Sequence, residues 1–494
     1  MASFYMEEYV SNGIMFQGFE WDLPSDGYFE DMQKKIPDLV EAGVTGIWLP
    51  PQCKATGVFD VGYGVYDLYD LGEFDQKGEQ RTKYGTKDQY LALINALHEA
   101  GIQVYADVVL NHKAGADETE SFQAVQVNQA NRIEEIGEPH EIDAWTHFHF
   151  PGRAGKYSDF QWHWYHFTGV DFDDRSGESG IFRVLGDGKG WAYGVSGEMG
   201  NYDYLMFADI DHHHPEVREE LFRWAEWYTE ETGVDGFRID AAKHIDHEFM
   251  RDFINHVKEV RGEDFYMVGE YWQTDETITD KYLYKTEYDM DLFDVKLHFN
   301  MVAAARGGDS YDLRKIFDNT IVQEHPEMAV TFVNNHDSQP GQALENFVDR
   351  WFIPHAYALI LLREAGYPCV FYGDYYGISG ENPIDGNREV LDKLMKIRKA
   401  FAYGDQEDHW ISGNLIGWVR HGDDQNPDKL LTLINTGDAA TVDIPLGADQ
   451  AGKVFADYLG IQEESVTISD EGIGTFTVGP GNIACWAETG KPID

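Results

Sequence analysis

Three short apolar runs, each ending in a carboxylate, constrain the fold of this chain more than any other feature. They are residues 233–244 (GVDGFRIDAAKH) with Asp240, residues 265–272 (FYMVGEYW) with Glu270, and residues 328–337 (MAVTFVNNHD) with Asp337. In a (β/α)8 barrel the carboxyl ends of all the strands converge on one face and carry the chemistry. The joint pattern therefore predicts a parallel barrel in which the three acids meet.

The first run contains the candidate nucleophile. Arg238 and Asp240 point to the same side of a strand, because side chains alternate with a period of two. A permanent cation two residues away favours the ionised carboxylate that a nucleophile requires. A lone R-x-D motif is usually only a structural ion pair, and the other two acids are what favour catalysis. Glu270 has aromatic, poorly solvated neighbours, which suit a general acid.

Alternating apolar runs and helical patterns predict eight barrel strands. We expect them at residues 13–19, 44–50, 104–110, 234–239, 265–268, 295–299, 329–333 and 369–372. Apolar spacings of three and four predict helices over residues 87–100 and 216–232. Thr86 and Gln89 fit a capping box at the start of the first helix, and Pro215 suits the opening turn of the second.

Two departures from this alternation predict further domains. About 120 residues separate the third and fourth strands, far more than an ordinary βα connection contains. After residue 399, short alternating runs separated by Gly and Asp indicate an all-β unit. We therefore expect a TIM barrel (1–111 and 211–399), an inserted domain (112–210) and a C-terminal Greek-key β-sandwich (400–494).

The formal charge is −50, from 88 acidic and 38 basic residues. Such a charge argues against nucleic acid and anionic membranes as partners. Acidic residues are spread along the chain, so their repulsion would be relieved where the Debye length falls to about 3 Å, near 1 M salt. Our hypothesis is adaptation to high salt, and the alternative is an acidic protein without that adaptation. No apolar run approaches the roughly 20 residues of a membrane span.

The cysteines and the N-terminal sequence bear on the cellular compartment. Cys53, Cys369 and Cys485 have no CxxC spacing, which argues against a disulfide framework or a zinc site. The first two adjoin apolar runs and are predicted to be buried thiols. The N-terminal sequence MASFYMEEYVSNG lacks the features of a signal peptide. We therefore expect a cytoplasmic monomer, and the alternative is the mature form of a secreted protein.

Four motifs in order resemble those of the α-amylase family of glycoside hydrolases, family thirteen. They are DVVLNH (107–112), GFRIDAAKH (236–244), GEYW (269–272) and FVNNHD (332–337). The similarity extends over at least residues 13–400. Segments such as VGYGVYDLYDLGEFDQKG (61–78) and GNYDYLM (200–206) resemble the bacterial liquefying α-amylases and their intracellular relatives.

The resemblance implies retaining endo-hydrolysis of α-1,4-glucosidic bonds in starch, glycogen or maltodextrins. It makes Asp240 the nucleophile, Glu270 the acid and base, and Asp337 a ligand of the sugar hydroxyls. Arg238 would hold Asp240 ionised. The remaining implied substrate contacts are His112 and His336 as hydrogen-bond donors, Tyr63 stacked beneath the sugar, and Lys243, His244 and Trp272 on the leaving-group side.

The resemblance also implies one Ca²⁺, a cation that binds carboxylate, amide and carbonyl oxygens. Its ligands would be the side chains of Asn111, Asp203 and Asp209 and the backbone carbonyl of His244. The liquefying enzymes carry further metal-binding aspartates at the positions of Thr168, Ala192 and His213. Asp211 remains in this chain, but the other carboxylate ligands of those sites are missing. A further metal site at the junction with the C-terminal domain is also unsupported, because Gly413 and Asn414 stand where its ligands would be expected. We therefore expect no linked metal cluster.

The sequence is also compatible with functions other than an endo-acting α-amylase. The nearest alternative is a maltodextrin-processing hydrolase or a transglycosylase, which would use the same covalent intermediate. A non-catalytic glycan-binding barrel is disfavoured because all three acids are present. A metal-dependent phosphatase or isomerase is disfavoured because the chain lacks a Gly-rich phosphate loop after the last strands.

Overall fold

A computed structural model describes residues 12–493 and contains the expected closed parallel barrel. We number only the barrel strands: β1 Met15–Gln17, β2 Gly46–Leu49, β3 Gln103–Val108, β4 Gly236–Ile239, β5 Tyr266–Gly269, β6 Asp291–Phe293, β7 Ala329–Phe332 and β8 Tyr367–Phe371. Each pairs with the next in sequence, and β8 closes on β1. Residues 1–11, which hold most of the segment behind the cytoplasmic prediction, lie outside the described residues.

The predicted sixth strand, 295–299, is wrong. Those residues begin a helix, Val295–Gly307, and the sixth barrel strand lies just before it. The alternation Val-Lys-Leu-His-Phe looked like a strand, yet Leu297, His298 and Met301 are buried with helical spacing. Asp294 decides the boundary, because its side chain accepts a hydrogen bond from the Leu297 amide and caps the helix.

Helices cover the outside of the barrel. Within the described residues the α-helices are α1 Tyr28–Ala42, α2 Lys87–Glu99, α3 Pro215–Thr232, α4 His247–Arg261, α5 Glu276–Lys285, α6 Val295–Gly307, α7 Ile321–Glu324, α8 Ile353–Leu361, α9 Tyr372–Tyr375 and α10 Arg388–Phe401. The capping box of Thr86 and Gln89 is confirmed, as is Pro215 in the opening turn of α3.

An antiparallel sheet occupies the long gap between β3 and β4. Its seven strands are His112–Lys113, Glu118–Asn128, Asn131–Glu135, His140–His147, Phe167–Asp173, Glu178–Val184 and Ala208–Ile210. The first and last of these pair with each other, with Asp209 opposite His112. The insertion therefore leaves and re-enters the barrel at one place. Two short hairpins, Lys54–Ala55 with Val65–Asp67 and Gly377–Ile378 with Ile384–Asp385, complete the barrel loops.

The C-terminal part is all-β, as predicted. Six antiparallel strands form one sheet: Gln406–His409, Leu415–Arg420, Leu430–Asn435, Ile483–Glu488, Val454–Asp457 and Val466–Thr467, in spatial order. Ala440–Pro445 and Ile473–Val478 form a second sheet. The two sheets share a buried core that includes Leu433, Phe476 and Trp486. The last strand of the chain lies inside the larger sheet, between strands that precede it in sequence.

The three cysteines are free and buried, which confirms the expectation for Cys53 and Cys369 and extends it to Cys485. Burial raises the pKa of the Cys53 thiol to about 12, so this thiol stays protonated and unreactive. Within residues 12–493, no helix combines the length and the apolar character that crossing a bilayer would require.

Candidate active site

A buried guanidinium lies at the centre of the site. Arg238, on β4, has no exposed surface, and its Nη1 donates to Asp240 Oδ1 at 2.7 Å. Its Nη2 donates to Glu270 Oε2. Two of the three predicted acids therefore bind neighbouring nitrogens of one planar cation, which orients both carboxylates.

Backbone hydrogen bonds continue past the ends of β4 and β5 and fix these acids in register. The Asp240 amide donates to the Val108 carbonyl, and the Glu270 amide donates to the Ile239 carbonyl, both at 2.9 Å. The next residue, Ala241, has φ 51°, a left-handed conformation that is strained for a side chain with Cβ. The chain thus turns sharply directly after the candidate nucleophile.

Sequence reasoning assigned no role to Asp107, although this residue opens the DVVLNH motif. It lies on β3 directly opposite Arg238 in the strand register, and it accepts from Arg238 Nη1 at 2.9 Å. Trp48 Nε1 and the Tyr63 hydroxyl also donate to it, at 3.0 and 2.9 Å. Burial raises the pKa of Asp107 to about 7, and the Arg238 charge opposes that rise. The sequence signal that could have identified Asp107 as a site residue was its position at the end of a predicted strand.

His336 joins the third predicted acid to this network. Gln17 Nε2 donates to His336 Nδ1 at 2.9 Å, so the ring proton lies on Nε2. That nitrogen lies 2.7 Å from the Tyr63 oxygen and 3.3 Å from Asp337 Oδ2. Burial holds the pKa of His336 well below its usual value, and the nearby Arg238 charge lowers it further. The imidazole is therefore a neutral hydrogen-bond donor.

The three acids differ in exposure and environment. The side chains of Asp240 and Glu270 are 11% and 9% exposed, whereas that of Asp337 is 24% exposed. Burial raises the pKa of Glu270, the Arg238 charge opposes this, and the Asp240 carboxylate adds to it. Both acids bind the same cation, and burial favours the protonated form of Glu270, as a general acid requires.

A second polar cluster lies beside the acids. Lys243 Nζ donates to the Trp272 carbonyl at 3.0 Å and lies 3.2 Å from Glu198 Oε2. Gln273 Nε2 donates to the same Glu198 carboxylate at 2.7 Å. Sequence reasoning found Lys243 and Trp272 and missed Glu198 and Gln273, since nothing local links residue 198 to the loops after β4 and β5.

The two remaining histidines are turned towards carbonyl groups. His112 Nε2 donates to the Tyr63 carbonyl at 2.8 Å, and His244 Nδ1 donates to the Tyr202 carbonyl at 2.7 Å. Burial lowers the pKa of His112 to about 4 and that of His244 to about 3, so both rings are neutral. His112 thus supports Tyr63, and His244 connects the turn after β4 to the insertion.

The predicted metal ligands lie where the insertion meets the barrel. Asn111, Asp203 and Asp209 are each 1% exposed, and Asn111 Nδ2 donates to Asp209 Oδ1 at 3.2 Å. The side-chain oxygen of Asn111, Oδ1, is buried without a hydrogen-bond partner. Neither aspartate forms an ion pair with any residue in the described range. Burial raises the pKa of both carboxyl groups. Such an oxygen-rich, anionic pocket fits a hard cation such as Ca²⁺.

No carboxylate occupies the three positions at which the liquefying enzymes were expected to carry extra metal ligands. The Thr168 hydroxyl donates to Asp209 Oδ2 at 2.5 Å, and the Ala192 amide donates to Asp203 Oδ2 at 2.9 Å. His213 lies 3.4 Å from Asp246. At the junction with the C-terminal sheets, the Gly413 carbonyl accepts from the Leu313 amide and Asn414 donates to the Asp309 carbonyl.

Known proteins share both this sequence and this fold. The family profile described as "Alpha amylase, catalytic domain" matches residues 19–414. The glucan 1,4-alpha-maltohexaosidase of Bacillus sp. (strain 707) is 48% identical over 479 residues, which cover 96% of this chain and 92% of the relative. The cytoplasmic alpha-amylase of Escherichia coli (strain K12) is 42% identical over 490 residues, covering 97% and 99%.

A solved structure extends the agreement to the fold. The crystal structure of an Anoxybacillus alpha-amylase has a TM-score of 0.65 at 20% identity and covers 98% of both chains. The resemblance carried by the four motifs is thereby confirmed. The chain belongs to the α-amylase family of glycoside hydrolases, family thirteen.

Proposed function

We propose that this protein is an α-amylase that cuts α-1,4-glucosidic bonds within starch, glycogen or maltodextrins and retains the anomeric configuration. One observation carries the proposal: Asp240 and Glu270 both bind the buried Arg238 guanidinium. A retaining glycosidase needs two carboxyl groups about 5–5.5 Å apart, one ionised and one protonated. A shared guanidinium keeps two such groups close, and burial raises the pKa of Glu270.

Asp240 is the proposed nucleophile. It attacks the anomeric carbon while Glu270 donates its proton to the leaving oxygen, and a covalent glucosyl-aspartate forms. Glu270, now ionised, then takes a proton from the attacking water, and the ester bond to Asp240 breaks. Arg238 preserves a positive charge beside Asp240 throughout, since a guanidinium does not lose its proton in this range.

The other residues bind and orient the sugar. Asp337, the most exposed acid, is proposed to accept hydrogen bonds from the glucose hydroxyls, and the neutral His336 to donate to them. His112 was expected to be a second donor, but its one ring proton is donated to the Tyr63 carbonyl, so we propose that it holds Tyr63 in place. Tyr63 is proposed to stack beneath the ring. Its ring is stacked on Trp21 at 5.9 Å and on His336 at 5.3 Å, which holds it rigidly. Lys243, His244 and Trp272 are proposed to line the leaving-group side.

A product profile tests this function. The protein should convert maltoheptaose to shorter oligosaccharides whose new reducing ends appear first as the α-anomer in ¹H NMR. Products of the β-anomer, or no cleavage at all, would overturn the proposal. Products longer than seven units would instead favour the transglycosylase alternative, in which a sugar replaces water as the acceptor.

The raised pKa of Glu270 predicts the alkaline limb of the pH profile. Because the folded protein holds this proton more tightly than the unfolded chain, the general acid stays protonated above the ordinary glutamate value of 4.5. The corresponding stability is complete below that value and is lost as pH rises through the folded-state pKa. We expect kcat/KM to fall on an alkaline limb centred clearly above 4.5. A limb at or below this value would contradict the assignment.

We also propose one calcium ion at Asn111, Asp203, Asp209 and the His244 carbonyl. The buried, unpartnered Asn111 oxygen and the two unpaired carboxylates support it. When bound, the ion would supply the positive charge that these oxygens lack. His244 and the nucleophile Asp240 belong to one loop, so the site would clamp the insertion, proposed as the separate domain 112–210, onto the catalytic loop.

Chelation should therefore cost both stability and activity. We expect EDTA to lower the thermal unfolding midpoint and kcat together, and added Ca²⁺ to restore both, because the ion stabilises only the folded state. Asp209→Asn should lose most of the response to EDTA. An equal EDTA effect on wild type and on this variant would argue against the proposed ligands.

Adaptation to high salt is proposed from the charge of −50. Repulsion among so many carboxylates weakens the folded state at low ionic strength and is screened by salt. We expect the unfolding midpoint to rise steadily with NaCl up to about 1 M. Full stability in dilute buffer would refute the idea.

We propose a cytoplasmic location. The three free buried thiols and the 42% identity to a relative named as cytoplasmic support it. Fractionation of the source cells would test this, since activity in the culture medium would favour the secreted alternative.

A further inference from the structure

The hydrogen bonds behind the proposed sugar site have a direction that is fixed at one end by Asp107. Arg238 Nη1 and Trp48 Nε1 can only donate, and they bind the two oxygens of Asp107 at 2.9 and 3.0 Å. Both oxygens of Asp107 are therefore acceptors. The Tyr63 hydroxyl accordingly donates its proton to Asp107 Oδ2, at 2.9 Å.

His336 is the next group in this chain of hydrogen bonds. Because the Tyr63 proton is used at Asp107, the Tyr63 oxygen accepts the proton of His336 Nε2 across 2.7 Å. The same Nε2 proton lies 3.3 Å from Asp337 Oδ2. A neutral imidazole with its proton on Nε2 has a lone pair on Nδ1, and Gln17 Nε2 donates to this lone pair at 2.9 Å. One ring thus connects Gln17 to two residues that are proposed to contact the sugar.

The surroundings of His336 leave its Nδ1 atom to Gln17. Gln17 is the last residue of β1, and both side chains belong to residues that are 1% exposed. Two charged groups lie beside the ring: Arg238, whose positive charge lowers the His336 pKa, and Asp337, which faces Nε2. The other rings packed against it carry no charge, namely those of Phe19, Trp21 and Trp48. Within residues 12–493, the hydrogen-bond partner of Nδ1 is therefore the Gln17 amide.

We propose that Gln17 is a positioning residue of the active site, whose amide N–H group keeps His336 neutral with its proton on Nε2 and so aligns Tyr63 and Asp337 for the sugar. This inference rests on the proposed hydrolase function and deepens it, because it gives a role to a side chain behind His336. With a proton on Nδ1, the ring would point an N–H group at the Gln17 N–H group. This clash disfavours both the imidazolium and the other neutral tautomer.

The first measurement is ¹⁵N NMR of the wild-type protein with labelled histidine. The signals of His336 are identified as those missing from His336→Gln. We expect one protonated and one unprotonated ring nitrogen, with the proton on Nε2, across the whole pH range of activity. An imidazolium, or a ring protonated on Nδ1, would overturn the role of Gln17 whether or not the protein hydrolyses maltoheptaose.

Gln17→Glu tests the same role through the pH profile. An ionised carboxylate at position 17 takes the proton of His336 onto Nδ1, which leaves Nε2 unable to donate to Tyr63. Donation returns only when one more proton is bound, either by Glu at position 17 or by the imidazole. We therefore expect kcat/KM near the wild-type value at the acid end of the profile and about 10- to 100-fold below it at the alkaline end. A profile of wild-type shape would contradict the inference.

Gln17→Met removes the donor and keeps the length of the side chain. Both tautomers of His336 then become accessible, so kcat/KM should fall about tenfold at every pH, without a new limb in the profile. Gln52→Met is the matched control, because Gln52 is 2% exposed and its amide donates to the Leu71 carbonyl at 2.9 Å. That variant should lose stability but keep the wild-type pH profile and the wild-type His336 signals.

The outcomes separate this inference from the proposed function. Wild-type protein that cleaves no maltoheptaose would overturn the function, and the NMR signals of His336 would still decide what Gln17 does to the ring. An active wild-type protein, with Gln17→Met that loses only stability and keeps the His336 signals unchanged, would show a merely structural role and overturn the inference alone.

Discussion

Asp240→Asn should abolish hydrolysis while leaving the fold intact. An amide cannot form the glucosyl ester, and removal of a catalytic nucleophile lowers kcat by roughly 10⁴- to 10⁶-fold. Glu270→Gln should lower kcat by about 10²- to 10⁴-fold, the usual contribution of a positioned general acid and base. Both substitutions preserve shape, and both new side chains can still accept from Arg238.

The measurement is reducing-end release from maltoheptaose, with circular dichroism and the unfolding midpoint as checks on folding. Asp252→Asn is the matched control, because Asp252 is a half-exposed carboxylate on α4 that pairs with Arg218 and Arg251. We expect that variant to keep wild-type turnover. Wild-type turnover by Asp240→Asn or by Glu270→Gln would refute the role given to that residue.

Addition of an aryl glucoside with a good leaving group separates the two roles. Such a substrate needs little protonation of its leaving oxygen, so the first step should recover in Glu270→Gln. It should not recover in Asp240→Asn, in which no covalent intermediate can form. Equal recovery of both variants would contradict the division of roles between the two acids.

Arg238→Met should destabilise the protein by about 3–5 kcal/mol, since removal of one partner from a buried ionic network leaves the other charges unpaired. Here Asp107, Asp240 and Glu270 would all lose a hydrogen-bond donor. Activity should also be lost, because the guanidinium that orients both Asp240 and Glu270 is gone.

Urea unfolding measures this loss of unfolding free energy, and two further variants show which property of Arg238 is responsible. Arg238→Lys keeps the charge but offers one nitrogen in place of a fork, so it should retain part of the stability and little of the activity. Arg218→Met removes a partly exposed arginine, 2.6 Å from Asp252, and should cost at most about 1 kcal/mol. A similar cost at positions 218 and 238 would mean that the central guanidinium has no special role.

Much of the fold could be predicted because its signals are local. Seven of the eight barrel strands, the Thr86 capping box and the first turn of α3 follow from the order of apolar residues, caps and breakers. The sixth strand could not be predicted from alternation alone. Residues 295–299 alternate like a strand, and only the Asp294 cap and the burial of Met301 show that they form a helix.

The sequence by itself determined which residues could do the chemistry. Asp240, Glu270 and Asp337 end strands, and strand ends of a parallel barrel meet on one face whatever the details of packing. The sequence also determined that Arg238 and Asp240 lie on the same side of the chain, because side chains along a strand alternate with a period of two.

Only the tertiary structure decided which distant side chains complete these groups. Asp107 reaches Arg238 across 131 residues of sequence, Gln17 reaches His336 across 319, and Glu198 reaches Lys243 across 45. Such pairs depend on barrel closure and on the position of the insertion, and neither leaves a periodic signal in the chain.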